Sequence, residues 1–168
     1  MMTQQMEINV FFDKGLEDCL EVSWLQGITK QALIAQCADP NVEMGLVIAS
    51  QERIKQLNKT YLGRDEPTDV LAFAMLGKLP ARGEPEAGTS PFVMPPDGML
   101  HLGEVILSYP QAVKQAEEHR HSVKREVAIL IIHGVLHLLG YDHDTPKLKR
   151  QMKAREAAIL NCVEGRLV

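Results

Sequence analysis

The stretch SVKREVAILIIHGVLHLLG, residues 122–140, decides the fold because it predicts a helix that is apolar almost all round. Such a helix is buried on every side, so we place it at the centre of the domain. Ser122 is a favourable N-cap residue. Gly140 is a favourable residue for ending the helix because glycine adopts left-handed backbone conformations without strain. His133 and His137 lie near the end of this helix.

Other apolar runs predict the remaining strands and helices. Strands are predicted at 7–12, 42–49, 68–76 and 99–108, the third buried on both faces and the fourth with a bulge at Gly103. Helices are predicted at about 24–38, 51–62, 108–120 and 145–163. Residues 77–98 contain five of the nine prolines and four of the twelve glycines, so they predict a long loop, either a mobile flap near the site or a segment without a role.

The composition is that of an ordinary soluble globular protein, with 45% hydrophobic and 24% charged residues. A length of 168 residues predicts one domain. Cys19, Cys37 and Cys162 form no CxxC pair, which argues against a disulfide framework and indicates a reducing compartment. We find no secretory signal and no apolar window long enough to span a membrane, so we expect a cytoplasmic protein.

Charge is distributed unevenly along the chain. The net charge of −4 argues against a general nucleic-acid coat, but residues 120–155 hold eight basic and three acidic side chains. The basic ones are Arg120, Lys124, Arg125, Lys147, Lys149, Arg150, Lys153 and Arg155. A local positive field of this kind attracts a polyanion. The alternative is that these residues are only the solvated faces of two helices.

The segment HGVLHLLGYDH, residues 133–143, has the spacing of a metal site. His133 and His137 are four apart and share one helix face, and Gly140 lets the chain reverse so that His143 can return over that face. A lone histidine, or a lone HxxxH pair, is more often structural. The full spacing H-x3-H-x2-G-x2-H is that of the metzincin metallopeptidases. Three imidazoles predict zinc, with a fourth coordination position open for catalysis.

One residue argues against a peptidase. Metzincins place a glutamate, the general base, directly after the first histidine, and here that residue is Gly134. Either another residue supplies the base or the chemistry differs. Glu126, seven residues before His133 on the same helix face, and Asp142, beside His143, are candidates for a base or for orienting an imidazole ligand, and the orienting role is favoured.

At this point the sequence resembles the YbeY family of endoribonucleases. The resemblance rests on residues 133–143, on LNKTYLGRDEPTDVLAF at 57–73, and on LGEV at 102–105. Three positions depart from the family pattern: Leu62 stands where the family has an arginine, Ala72 where it has a serine, and Glu104 where it has an aspartate. Arg64, two residues after Leu62, is our candidate for the missing arginine's role.

The resemblance implies a single α+β domain over residues 1–168, with a small mixed sheet packed on helices and a central helix that carries the metal-binding histidines. It also implies that His133, His137 and His143 hold one zinc ion. The implied activity is metal-dependent cleavage of single-stranded RNA, in 16S ribosomal RNA maturation and ribosome quality control at the small subunit. The alternatives are a zinc metallopeptidase and a non-catalytic ribosome-associated factor.

Overall fold

The computed structural model describes residues 6–36, 41–75, 99–141 and 144–167. Four strands and five helices succeed one another in the order β1 (Glu7–Phe12), α1 (Val22–Ala35), β2 (Val42–Ala49), α2 (Gln51–Leu62), β3 (Val70–Ala74), β4 (Leu100–Ser108), α3 (Tyr109–His119), α4 (Val123–Leu138) and α5 (Pro146–Val163). A short 3-10 turn, Glu164–Arg166, follows α5. Within these residues, no helix combines the length and the apolar character that crossing a bilayer requires.

The four strands form one mixed sheet in the order β1-β2-β4-β3. Strand β2 pairs in parallel with β1 on one side and with β4 on the other, whereas β3 pairs antiparallel with β4. The main core lies between this sheet and the helices α1 and α4, and α5 adds to it by packing on those two helices. The predicted α+β class, with a small mixed sheet packed on helices, is confirmed.

Helix α4 is the central helix, as predicted. Ten of its sixteen residues are buried, and it packs on β3, β4 and three other helices. Ser122 caps its start, because the Ser122 hydroxyl accepts a hydrogen bond from the Arg125 N–H at 3.1 Å. At its end Gly140 has a φ of 96°, and the Tyr141 N–H donates back to the Leu136 carbonyl at 3.0 Å. Both predicted helix ends are therefore confirmed.

At Gly134 the backbone of α4 lies very close to strand β4. A Cβ atom at this position would lie 2.6 Å and 2.9 Å from the two methyl carbons of Val105 on β4. Contacts this short do not occur between real side chains, so the helix can lie this near the strand only because residue 134 has no side chain. A glutamate at Gly134 would have to displace the helix from β4 or force Val105 out of its place.

The predicted bulge in β4 is confirmed. The register passes from Glu43 opposite His101 to Met44 opposite Gly103, so Leu102 is the extra residue. Gly103 has a φ of 125°, which only glycine adopts without strain. The bulge lets Leu102 be buried and still keeps the residues after it in phase with the core.

The prediction for the third strand is wrong in one respect. We expected residues 68–76 to be buried on both faces, but β3 is shorter and lies at the edge of the sheet. Val70 and Ala72 pack against the main core, whereas Leu71 and Phe73 belong to a second cluster. Of the five strand residues only Leu71 is fully buried. The continuous apolar sequence of β3 therefore reflects contacts on both faces of the strand. These contacts do not bury the strand completely, because it lies at the edge of the sheet.

Some predictions lie outside the described residues. The loop expected at 77–98 falls within residues 76–98, so its role and the assignment of all 168 residues to one domain stay predictions. Helix α1 begins two residues before the expected start at residue 24 and ends at Ala35. Cys19 and Cys162 are free thiols, in agreement with the absence of a disulfide between them.

Candidate metal centre

His133 and His137 meet on one face of α4, as their spacing predicts. Both side chains are half-buried, and their Nε2 atoms lie 3.1 Å apart. Their rings stand nearly edge to face, with centroids 4.7 Å apart. Two imidazole nitrogens bound to one tetrahedral zinc ion, each at about 2.1 Å, are about 3.4 Å apart. The two nitrogens are therefore placed as a pair of zinc ligands would be.

Glu156, on α5, fixes the orientation of the first of these imidazoles. The Nδ1 atom of His133 lies 2.6 Å from the carboxylate oxygen Oε1 of Glu156, to which it donates a hydrogen bond. Because the proton is held on Nδ1, the lone pair of Nε2 is available to a metal ion. A carboxylate in this position is typical of metal-binding histidines. The two Nε2 donors of His133 and His137, with Glu156 orienting the first imidazole, thus fit a zinc centre.

The other predicted participants of this centre are not all described. His143, the expected third ligand, and Asp142 lie outside the described residues, so their roles stay predictions. Arg64 is exposed in the segment between α2 and β3, and its guanidinium forms no hydrogen bond or ion pair with the described residues. Leu62, where the family has an arginine, is likewise exposed, at 57%.

The basic residues near the centre divide into two groups. Lys147, Lys149 and Arg150 are exposed at the start of α5. Arg125, by contrast, pairs with Glu164 at 2.9 Å, and Lys124 lies over the ring of Trp24 at 5.6 Å. Arg120, Lys153 and Arg155 are exposed as well, so the start of α5 is one part of the basic stretch that is open to a polyanion.

Glu126 does not reach the imidazoles of His133 and His137, contrary to one of our expectations. It is buried in the first turn of α4, where its Oε1 lies 2.9 Å from Nδ1 of His119 and 2.7 Å from Nε2 of His121. Seven residues of helix, at about 1.5 Å each, separate it from His133 by about 10 Å along the axis. The hydrogen bond with Glu126 is the main cause that raises the pKa of His119.

The cluster of His119, His121 and Glu126 was not predicted from the sequence. Its three ligand atoms lie within 4.8 Å of one another, so these residues could hold a metal ion. The HxH spacing and the glutamate five residues later gave no signal, because neither matches a common zinc motif. Glu156 was missed for another reason: it comes from a separate helix, and only the packing of α4 on α5 brings it to His133.

The chain is similar in sequence to proteins of one known family. The family model for the endoribonuclease YbeY matches residues 14–164, which is most of the chain. The chain belongs to the YbeY family. The Endoribonuclease YbeY of Dehalococcoides mccartyi strain 195 is 48% identical over 93% of this chain and 89% of its own length. The Endoribonuclease YbeY of Moorella thermoacetica is 43% identical over 83% of this chain and 84% of its own length.

A solved structure shares the fold of this chain. The solution structure of TM1509 from Thermotoga maritima superimposes with a TM-score of 0.58 and covers 94% of this chain and 89% of that one. Its sequence identity of 24% means that the likeness concerns the fold alone. The resemblance that we drew from residues 57–73, 102–105 and 133–143 is confirmed, and the chain is a member of a family of RNA-cleaving enzymes.

Proposed function

We propose that this protein is a zinc-dependent endoribonuclease that cleaves single-stranded RNA in the cytoplasm and acts in 16S ribosomal RNA maturation and ribosome quality control, with the small subunit as its partner. The observation that carries the proposal is the convergence of the Nε2 atoms of His133 and His137, 3.1 Å apart, in a chain of the YbeY family. His143 completes the proposed ligand set.

The residues of the centre have distinct tasks. His133, His137 and His143 would hold the ion, which when bound supplies a Lewis acid to a phosphoryl oxygen of the RNA. Glu156 accepts the Nδ1 proton of His133 and keeps that imidazole from rotating. Because three protein ligands leave a coordination position open, such a centre is suited to catalysis.

The substrate is held by cationic side chains. Arg64 is exposed and its side chain pairs with no other described residue, so its guanidinium is available to bind a phosphate in a bidentate manner. Lys147, Lys149 and Arg150 line the start of α5 and bind neighbouring phosphates of the strand. Such contacts release counterions, so RNA binding weakens as the salt concentration rises.

Gly134 argues against the peptidase alternative. A metzincin needs a glutamate after its first histidine, and the methyl groups of Val105 occupy the space into which that side chain would begin. The second alternative is a ribosome-associated factor without catalytic activity. Such a factor would not need an oriented imidazole pair or an open coordination position on the ion.

The proposal is tested by incubating an end-labelled single-stranded RNA and a matched duplex with freshly purified protein. His133→Ala is prepared identically, and His101→Ala serves as the matched control, because His101 is also a half-exposed histidine beside a glutamate but lies on β4. We expect cleavage of the single strand by the wild type and by His101→Ala only. A chelator should abolish this cleavage, and added Zn²⁺ should restore it.

Equal cleavage by His133→Ala and wild type would refute the proposal, since it would mean a contaminating nuclease. Digestion of a denatured protein substrate, lost in the same variant, would favour the peptidase. Retained binding to the small subunit without RNA cleavage would favour the non-catalytic factor.

A further inference from the structure

We propose that His119, His121 and Glu126 form a second metal site, separate from the pair of histidines at the end of α4, which binds a divalent transition metal such as Zn²⁺ and ties α3 to α4. We refer to these three residues as the corner cluster. Two imidazole nitrogens and one carboxylate oxygen are a donor set that Zn²⁺ commonly uses in proteins.

The backbone of the α3–α4 corner holds the two imidazoles toward the same carboxylate. His119 is the last residue of α3, and Arg120 after it has a left-handed conformation with a φ of 57°. Two hydrogen bonds close this turn, from Arg120 N–H to Glu117 O at 3.2 Å and from His121 N–H to Ala116 O at 3.1 Å. The ligands are therefore positioned by a hydrogen-bonded helix end rather than by a free loop.

The distances within the corner cluster are close to those of a three-ligand site. His119 Nδ1 and His121 Nε2 lie 2.9 Å and 2.7 Å from the same oxygen of Glu126. Ligand atoms of a tetrahedral zinc ion are about 3.4 Å apart, so shifts of less than about 1 Å would admit the ion between them. The side chains of Glu126, His121 and His119 are 4%, 21% and 55% exposed, which gives the ion a path from solvent to the buried carboxylate.

Two cations beside Glu126 on α4 are held away from the corner cluster. Arg125 is drawn away toward Glu164, and Lys124 is drawn toward Trp24. Each of the two cations nearest to Glu126 in sequence therefore has a partner outside the corner cluster. A buried carboxylate is expensive to desolvate unless positive charge accompanies it, and a bound metal ion supplies that charge.

The corner cluster shares no ligand with the proposed centre at the other end of α4. About 10 Å of helix separates Glu126 from His133, so the two sites bind their ions independently. The structure therefore predicts two metal equivalents per chain rather than one. The role of the second ion is to hold the start of α4, which carries the first centre near its end.

The test measures metal stoichiometry on the whole chain. The test uses three proteins: wild type, His137→Ala and the double variant His137→Ala with His119→Ala. Bound metal is removed with a chelator, Zn²⁺ is added in steps, and native mass spectrometry measures the number of ions bound per chain. His119 suits the test because its side chain is more than half exposed and its removal leaves His121 paired with Glu126. His137→Ala with His101→Ala is the matched control.

We expect two ions in the wild type and one in His137→Ala and its control. In the double variant with His119→Ala the affinity should fall at least tenfold. Binding by His137→Ala that is unchanged when His119 is removed would overturn the inference, as would no binding by His137→Ala at all. In that case the corner cluster is only a hydrogen-bonded support.

A second measurement does not depend on the His119 substitution. In ¹H–¹⁵N spectra of folded His137→Ala, added Zn²⁺ should shift the ring resonances of His119 and His121 and leave that of His101 unchanged. Unchanged His119 and His121 resonances would overturn the inference. Wild type that binds one ion, lost in His137→Ala, would refute the second site while it supports the first, so the two proposals can fail separately.

Discussion

Gly134 lies against Val105, so the effect of Gly134→Ala on the free energy of unfolding should change sign with the residue at position 105. Replacing Gly134 by alanine places a methyl group 2.6 Å and 2.9 Å from the two methyl carbons of Val105. Val105 is fully buried on β4, and its β-branched side chain has little rotamer freedom with which to yield. The helix must therefore move from the sheet, or Val105 must leave its rotamer.

Two opposing terms set the size of the effect. Overpacking a well-packed core destabilises by about 1–3 kcal/mol, and two close contacts place this case in the upper half of that range. Exchanging glycine for alanine inside a helix stabilises by about 1 kcal/mol. We therefore expect Gly134→Ala to lower the free energy of unfolding by about 1–2 kcal/mol.

The sign should reverse once the valine methyl groups are gone. In a Val105→Ala background the nearest remaining atom of residue 105 is its Cβ, 3.3 Å away, so the helix term dominates and Gly134→Ala should stabilise by up to about 1 kcal/mol. Urea denaturation of the wild type, both single variants and the double variant measures this cycle. A Gly134→Ala protein at least as stable as wild type would refute the close-approach argument.

Three further outcomes follow from the structure. Gly103→Ala should destabilise by more than about 3 kcal/mol, because φ is 125° and the new methyl would overlap the Phe73 carbonyl oxygen of β3. Gly15→Ala, at a φ of 92° in open space, should lose only about 1 kcal/mol, and thermal denaturation of both variants measures the difference. Glu156→Gln should weaken Zn²⁺ binding about tenfold in competition with a chromophoric chelator, and unchanged affinity would contradict its orienting role. At pH 8, iodoacetamide should label exposed Cys162 before Cys19, because burial raises the pKa of the Cys19 thiol and a raised pKa leaves less thiolate to react; peptide mapping that finds Cys19 labelled first would contradict this.

Local signals accounted for the parts of the fold that sequence could predict. The caps of α4 depend on residues next to the helix, and the bulge in β4 shows as a change of apolar phase at Gly103. The meeting of His133 and His137 follows from helix periodicity alone. Each of these features depends on residues within one secondary-structure element or directly beside it. It could therefore be predicted without knowledge of the tertiary packing.

Contacts between elements could not be predicted in the same way. Glu156 reaches His133 because α5 packs beside α4. The sequence of neither helix indicates which residues of α5 lie opposite which residues of α4. Glu126 was placed on the correct helix face but given the wrong partners, because the turn after α3 brings His119 and His121 to it first. The edge position of β3 likewise depends on the order of the strands rather than on the apolar run itself.

The order of strands in the sheet has a consequence for synthesis on the ribosome. The central pair joins β2 to β4, and α4, which packs on β4 and β3, follows β4 in the chain. A nascent chain that has emerged only as far as residue 75 can pair β2 with β1 but has neither the opposite neighbour of β2 nor the helix that packs on that neighbour. The first half of this protein therefore leaves the exit tunnel with an apolar strand edge uncovered, and becomes resistant to aggregation only when its last third is made.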